Sequence, residues 1–247
     1  MCGRGEGEQQ GERESNRVEA KPIPGLEHLP YAEVWFHAID DMRWAEASNA
    51  ARDLGKTGLE AWTTSRTPEV AAFLQERGYD EVRRYVISEL DVAAAAEPPE
   101  PAIEIVTIAE RPDLVLPLYG LALQAFPDQP GRAETKIDAS WFEWGLRAHP
   151  ADSFFVALEN GQVLGFGHLE CDGDEWRNGF LAVEREARGR GVARALKHAQ
   201  LRWAKASGVK KLTTANEVRL AGMRKLNARL GYVPVYDEIV LRGPLAG

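Results

Sequence analysis

"ARGRGVARAL" (residues 187–196) packs three arginines and two glycines into ten positions and then turns apolar. Three readings compete for it: a flexible linker, a basic patch for nucleic acid, and a loop shaped around phosphate. Its neighbours discriminate between them. "EWRNGFLAV" (175–183) just upstream alternates as a strand does. Downstream, Val192, Leu196, Ala199 and Trp203 recur at spacings of 4, 3 and 4, which marks an amphipathic helix. A linker has no place in so short a connection. Glu184 and Glu186 precede the arginines and the chain carries a net charge of −8, so a polyanion surface is disfavoured. A helix start held by ion pairs is the remaining bland reading. Arginine at a helix N-terminus opposes the macrodipole, however, and a bound anion removes that cost. Gly189 and Gly191 allow close backbone approach, and the first helical N–H groups have no intrahelical partner. The stretch is neither a Walker loop nor the dinucleotide fingerprint, because no Gly-Lys-Ser/Thr follows and the glycine spacing differs. Chemically it is a pyrophosphate cradle at a strand-to-helix turn.

Composition sets the wider frame. The chain has 247 residues, 44% of them hydrophobic and 28% charged, as in an ordinary soluble globular protein. No apolar run is long enough to span a bilayer, and no signal-peptide core precedes the first helix. Two cysteines, Cys2 and Cys171, offer no zinc-ligand spacing, so no metal site is expected. A reducing, cytoplasmic location fits this composition best. The first residues are polar and rich in Glu and Gly, and residues 1–27 are expected to form a disordered tail.

"DVAAAAEPPEPAIE" (91–104) reads as a linker, with three prolines in four positions. It divides a segment at 28–95 from one at 103–247, leaving 96–102 as the connection. The second segment predicts the order β-α-α-β-β-β-α-β-α-β-β. The pattern implies an α+β domain (a three-layer α/β arrangement) whose mixed, mostly antiparallel sheet is flanked by helices. The first segment echoes the end of that order. At a constant offset of 153, Ala51 matches Ala204, Gly55 matches Gly208 and Leu59 matches Leu212. The same offset pairs Gly78 with Gly231, Tyr79 with Tyr232 and Val82 with Val235. Opposite "RGRGVA" (188–193) the first segment reads "WFHAID" (35–40), without the cradle. It therefore reads as a partial, degenerate copy that binds no ligand there and packs on the second segment.

Arg188-Gly189-Arg190-Gly191-Val192-Ala193 resembles the Arg/Gln-x-x-Gly-x-Gly/Ala signature of the GCN5-related N-acetyltransferases (GNAT), and the likeness continues through residues 181–232. The resemblance implies a GNAT fold in tandem with the truncated N-terminal copy. It implies acetyl-CoA as acyl donor, a small-molecule or peptide amine as acceptor, and direct attack of that amine on the thioester. No nucleic acid, membrane or metal is implied, and a monomer or homodimer is expected. Carried over by position, Leu181, Ala182 and Val183 would meet the pantetheine arm and the acetyl carbonyl. The backbone of Gly189, Arg190, Gly191, Val192, Ala193 and Arg194, with the Arg188 side chain, would hold the pyrophosphate, and Asn216 would touch the coenzyme. Two positions depart from the family pattern. Leu220 stands where many relatives carry a second asparagine, and Asn227 stands where many carry a tyrosine that protonates the departing thiolate. Asn227 would then donate a hydrogen bond to sulfur or serve as a structural amide, with Tyr232 or a bound water supplying the proton. Glu170 is the candidate base, with Glu175 behind it and His168 on the same strand face; a solvated strand-end charge is the alternative for Glu170. Asp128, Trp141 and Phe142 are expected along the acceptor cleft, with core packing as the other reading for Trp141. A non-catalytic acyl-CoA sensor on the same fold is the competing function.

Overall fold

The computed structural model describes residues 18–130, 133–136, 142 and 149–247. It divides into two compact units. Of the described residues, the larger takes in Ser88–Ala215 and Leu220–Pro234; the smaller takes in those up to Ile87, with Asn216–Arg219 and Val235–Gly247.

The smaller unit contains β1 (Lys21–Pro22), β2 (Tyr31–Trp35), α1 (Asp41–Asp53), β3 (Gly58–Thr64), α2 (Pro68–Gln75), most of β4 (Asp80–Asp91) and most of β10 (Val233–Pro244). Its sheet runs β1-β2-β3-β10-β4, with β2 parallel to β3 and β10 antiparallel to β3. Period-2 alternation along β3 sends Leu59 and Ala61 into a core with Ala47, Ala51, Val70 and Leu74 of the two helices. The other face carries Glu60 and Trp62. Trp62 is stacked between Trp35 and Tyr85, with ring centroids 5.1 and 5.6 Å away. Glu60, fully buried, accepts hydrogen bonds from Arg83 and from Arg242 Nε (2.8 Å). Within the stretch expected to be a disordered tail, Lys21–Pro22 pairs with β2, and Ile23 and Leu26 are buried.

The larger unit contains β5 (Glu104–Thr107), α3 (Val115–Ala125), β6 (Phe154–Glu159), β7 (Gln162–Asp172), β8 (Glu175–Val183), α4 (Val192–Ala206), most of β9 (Lys211–Glu217) and α5 (Ala221–Arg229). Strands β5 to β8 form an antiparallel meander, and β9 joins β8 in parallel. The sheet is covered on both faces, which explains why "FFVALE" is apolar at nearly every position. Phe154, Val156 and Leu158 face Leu118, Leu121 and Ala122 of α3. Phe155 and Ala157 face Val192, Leu196 and Ala199 of α4. The expected helix at 138–148 lies outside the described residues except for Phe142. Of the two strands allowed for the C-terminus, one forms, β10. Among the described residues no helix is long and apolar enough to cross a membrane.

The 153-residue offset recurs in element bounds. β3 and β9 coincide at that displacement, as do β4 and β10. Gly55 and Gly208 both have φ +71°, and Gly78 and Gly231 have +82° and +95°, each just past a helix end where left-handed backbone is needed. The strand–helix–strand starts differ. β2 and β3 stay paired through five consecutive positions, whereas β8 and β9 pair only at Trp176–Leu212, Arg177–Thr213 and Asn178–Thr214. Helix α1 is capped by the Asp40 carboxylate, which accepts from Arg43 N at 2.8 Å; α4 begins at Gly191 with no side-chain cap.

Candidate functional site

Beyond Asn178, β8 keeps β7 on one side and has no β9 partner on the other. Leu181, Ala182 and Val183 pair with Gly167, Phe166 and Gly165. A bulge marks the change. Leu169 pairs with Asn178 and Gly167 with Leu181, so Gly179 and Phe180 both stand against His168. The strand ends in a 3-10 turn, Arg185–Ala187, and the glycine turn then leads into α4.

Gly189 and Gly191 have φ of +80° and +88°, the left-handed region where a side chain is strained. Space is not the reason for glycine at either position. A Cβ on Gly189 would meet nothing within 4 Å, and one on Gly191 would meet only the Arg194 guanidinium at 3.6 Å. The first intrahelical bond of this turn runs from Ala195 N to Gly191 O, so the amides of Val192, Ala193 and Arg194 precede the ladder. No acidic residue occupies the first turn of α4. A cleft of about 290 Å³ opens beside it, lined by Arg190, Gly191, Arg194, His198 and the Pro99–Ile103 segment.

The arginines are partly balanced by protein carboxylates. Asp128 accepts from Arg188 Nη2 at 2.7 Å and from Arg185 Nη2 at 2.8 Å, and Arg190 pairs with Glu159. The Arg188 and then the Arg185 hydrogen bond hold Asp128 below the usual carboxylate range. Asp128, expected on the acceptor side, has both oxygens engaged by Arg188 and Arg185. Phe142 is a core residue, against Tyr119 and Phe166 at 5.6 and 6.2 Å between centroids. Trp141 lies outside the described residues. Asn216 lies in the last part of β9, within the smaller unit.

On the α4 side of the point where β8 and β9 part is a buried polar network that the sequence reading missed. Asn178 Oδ1 accepts from Lys197 Nζ at 2.7 Å and from the Tyr232 hydroxyl at 2.6 Å. Asn178 Nδ2 donates to Gln200 Oε1 at 3.2 Å, and Gln200 Nε2 donates to the His168 carbonyl at 3.0 Å. Burial raises the Tyr232 phenol well above its ordinary value, against a smaller lowering by the Asn178 hydrogen bond. With its proton committed to Asn178, Tyr232 is a poor acid. Asn227 is buried on α5, and its carbonyl accepts from Tyr232 N at 3.1 Å.

Lys197 has no carboxylate in this network, and burial lowers its ammonium from 10.5 to about 7. Between those values the unfolded chain binds one more proton than the folded one, so stability rises with pH across that window. The penalty is full below about pH 7 and vanishes above the ordinary value. It amounts to roughly 4 kcal/mol at neutral pH. Lys197→Met is expected to raise the melting temperature at pH 7 and to flatten the stability profile between pH 7 and 10. An unchanged slope in calorimetric scans across that range would show that Lys197 does not titrate there.

On the α3 side, Glu170 accepts from Arg177 Nε at 2.5 Å and lies 3.0 Å from His168 Nε2. Desolvation pushes its carboxyl up, but the His168 hydrogen bond and the Arg177 charge outweigh it, leaving a value of about 2. His149 stacks beside His168 with centroids 5.8 Å apart, and desolvation lowers its imidazole. One ligand atom each from His149, His168 and Glu170 lie within 4.8 Å of one another, a spacing that suits a metal ion.

Residues 116–232 match the model of the acetyltransferase (GNAT) family. No curated protein matches the chain. Among solved structures, a GCN5-related N-acetyltransferase from Sphaerobacter thermophilus aligns over 93% of this chain and 77% of its own, at 16% identity and TM-score 0.71. A tandem GNAT protein from the clavulanic acid biosynthesis pathway, without AcCoA, aligns over 89% and 76%, at 20% identity and TM-score 0.68. A GCN5-related N-acetyltransferase from Kribbella flavida aligns over 97% and 93%, at 16% identity and TM-score 0.63. The chain has the GNAT fold: α+β, with a mixed, mostly antiparallel sheet flanked by helices.

Proposed function

We propose that this chain is an N-acetyltransferase that passes the acetyl group of acetyl-CoA to a primary amine of a small molecule or peptide. The observation that carries the reading is the glycine turn with uncapped helical amides, placed at the end of a strand that has parted from its neighbour. The two features serve the two ends of one elongated ligand. The amides of Val192–Arg194 and the flanking arginines suit the pyrophosphate. The strand edge at Leu181–Val183 suits the pantetheine amides and the acetyl carbonyl. Asp128 and Glu159 keep Arg188 and Arg190 ordered and would share those guanidinium groups with the phosphates. The acidic partners also account for how Arg188 and Arg190 are tolerated at a helix start.

Attack by the amine forms a C–N bond as the C–S bond breaks, with the electron pair leaving on sulfur. The amine must be neutral, whereas an ordinary alkylamine with a pKa of about 10.4 is protonated at pH 7, so a base is required. The smaller unit is read as a degenerate copy of the second half of the fold, on the shared offset and the paired glycines. It lacks the opened strand pair, and Asp40 fills the helix terminus where the cradle would be.

A sensor that binds acyl-CoA without turnover is the second reading, favoured by the committed Tyr232 proton and by Asn227 at the usual tyrosine position. Acetyl-CoA incubated with a panel of primary amines separates the two. Release of free thiol that depends on the amine supports the transferase. Saturable acetyl-CoA binding with no thiol released by any amine supports the sensor.

A further inference from the structure

We propose that the cleft between α4 and the proline-rich linker holds the nucleotide end of the coenzyme, with Arg194 and His198 reading its 3′-phosphate; the inference rests on the acetyl-CoA reading above. Acetyl-CoA carries phosphate in two places, a pyrophosphate in mid-molecule and a phosphomonoester on the ribose. The glycine turn accounts for the first and leaves the second without a partner.

The cleft adjoins that turn. Arg190 and Gly191 line it, and Arg194 Nη2 stands 3.6 Å from where a Cβ on Gly191 would lie. None of the lining residues comes from β8, so the cleft is a second way out of the turn, apart from the strand edge that suits the pantetheine. Its volume of about 290 Å³ is at the small end of ligand pockets and suits one nucleoside, not the whole coenzyme.

Arg194, His198 and Arg202 recur every four residues and so share one face of α4. Arg202 Nη1 donates to the Pro99 carbonyl at 2.8 Å, and Lys205 Nζ donates to the Ala95 carbonyl at 2.8 Å. Ala95 and Ile103 pack on the core that α4 covers, which fixes the linker at both ends. Pro99 and Pro101 stiffen the wall between them and carry no N–H, so the donors for a phosphate come from α4. This wall precedes residues 116–232, the region matched by the family model.

The field in the cleft favours an anion. Desolvation and then the charges of Arg194 and Arg202 lower the His198 imidazole, a burden that a dianion beside it would relieve. Arg190 is met by Glu159, and Glu100 is the one carboxylate among the lining residues and is exposed.

Calorimetric titration of the full chain with acetyl-CoA and with its 3′-dephospho analogue tests the assignment. The unaltered chain is expected to bind acetyl-CoA at least about tenfold more tightly than the analogue. Arg194→Gln should weaken acetyl-CoA by about tenfold or more and the analogue by about two-fold at most, so that discrimination collapses. His198→Leu should narrow the same ratio, and retained binding of the analogue shows that each variant is folded. Acetyl-CoA should also displace adenosine 3′,5′-bisphosphate; simultaneous binding of both would assign the cleft to a free nucleotide and overturn the proposal. Equal affinity of the unaltered chain for the two coenzymes, or equal losses on both in Arg194→Gln, would overturn it and leave the acetyl-CoA reading standing. Binding of neither coenzyme would overturn that reading and this inference with it.

Discussion

Gly191→Asp is expected to weaken acetyl-CoA binding by at least about 100-fold while the protein stays folded. The position has φ +88°, and aspartate tolerates left-handed backbone better than most residues. A Cβ there meets nothing closer than the Arg194 guanidinium at 3.6 Å, so the fold has room for it. The carboxylate would cap the helix that now starts without a side-chain cap, and so compete for the amides assigned to phosphate. Losing two charge-assisted hydrogen bonds accounts for roughly 3 kcal/mol or more, and like-charge repulsion adds to it. Calorimetric titration with acetyl-CoA, checked by circular dichroism, measures the loss. Full affinity in the variant would remove this turn from the coenzyme site.

The second large effect concerns stability. Glu60→Gln in the smaller unit leaves the Arg83 guanidinium buried beside a neutral amide, with Arg242 losing the same partner. Removing one member of a buried ion pair costs about 3–5 kcal/mol, more than the intact pair contributes over an apolar replacement. The melting temperature of the whole chain is expected to fall by roughly 6–20 °C. The double replacement Glu60→Leu with Arg83→Met should recover part of the loss, because the fully buried guanidinium goes with its partner and only the partly exposed Arg242 loses its carboxylate. If the single variant melted within a degree or two of the parent, the pair would be better hydrated than its burial implies.

The sequence made the turn and the helix legible because both are local. Glycine at positive φ and apolar spacing of 4, 3 and 4 follow from backbone sterics and one buried face. β6 was also legible as a strand, and its apolarity on both faces matches a sheet covered by helices on each side. The Asn178–Lys197–Tyr232 network was not legible. Its members are 19 to 54 positions apart, and their meeting depends on strand register and helix rotation together. His168 was noticed only as a neighbour of Glu170. The bulge at Gly179 and Phe180, which puts β8 against both side chains, leaves no mark in the alternation that a single strand shows. Phe142 is buried against Tyr119 and Phe166, a placement that depends on the neighbouring helix and strand and not on its own local pattern.

Asp40 has a consequence for how the two units respond to their surroundings. Helix α1 carries its counter-anion covalently, at fixed geometry and at an effective concentration that no dilution changes. On the proposed reading, helix α4, which has no side-chain cap, takes its anion from solution. Folding of the smaller unit should therefore be indifferent to the supply of coenzyme in the cell, whereas the stability of the larger unit should track it through mass action. The chain would thus pair a constitutive half with a half whose persistence reports metabolic state.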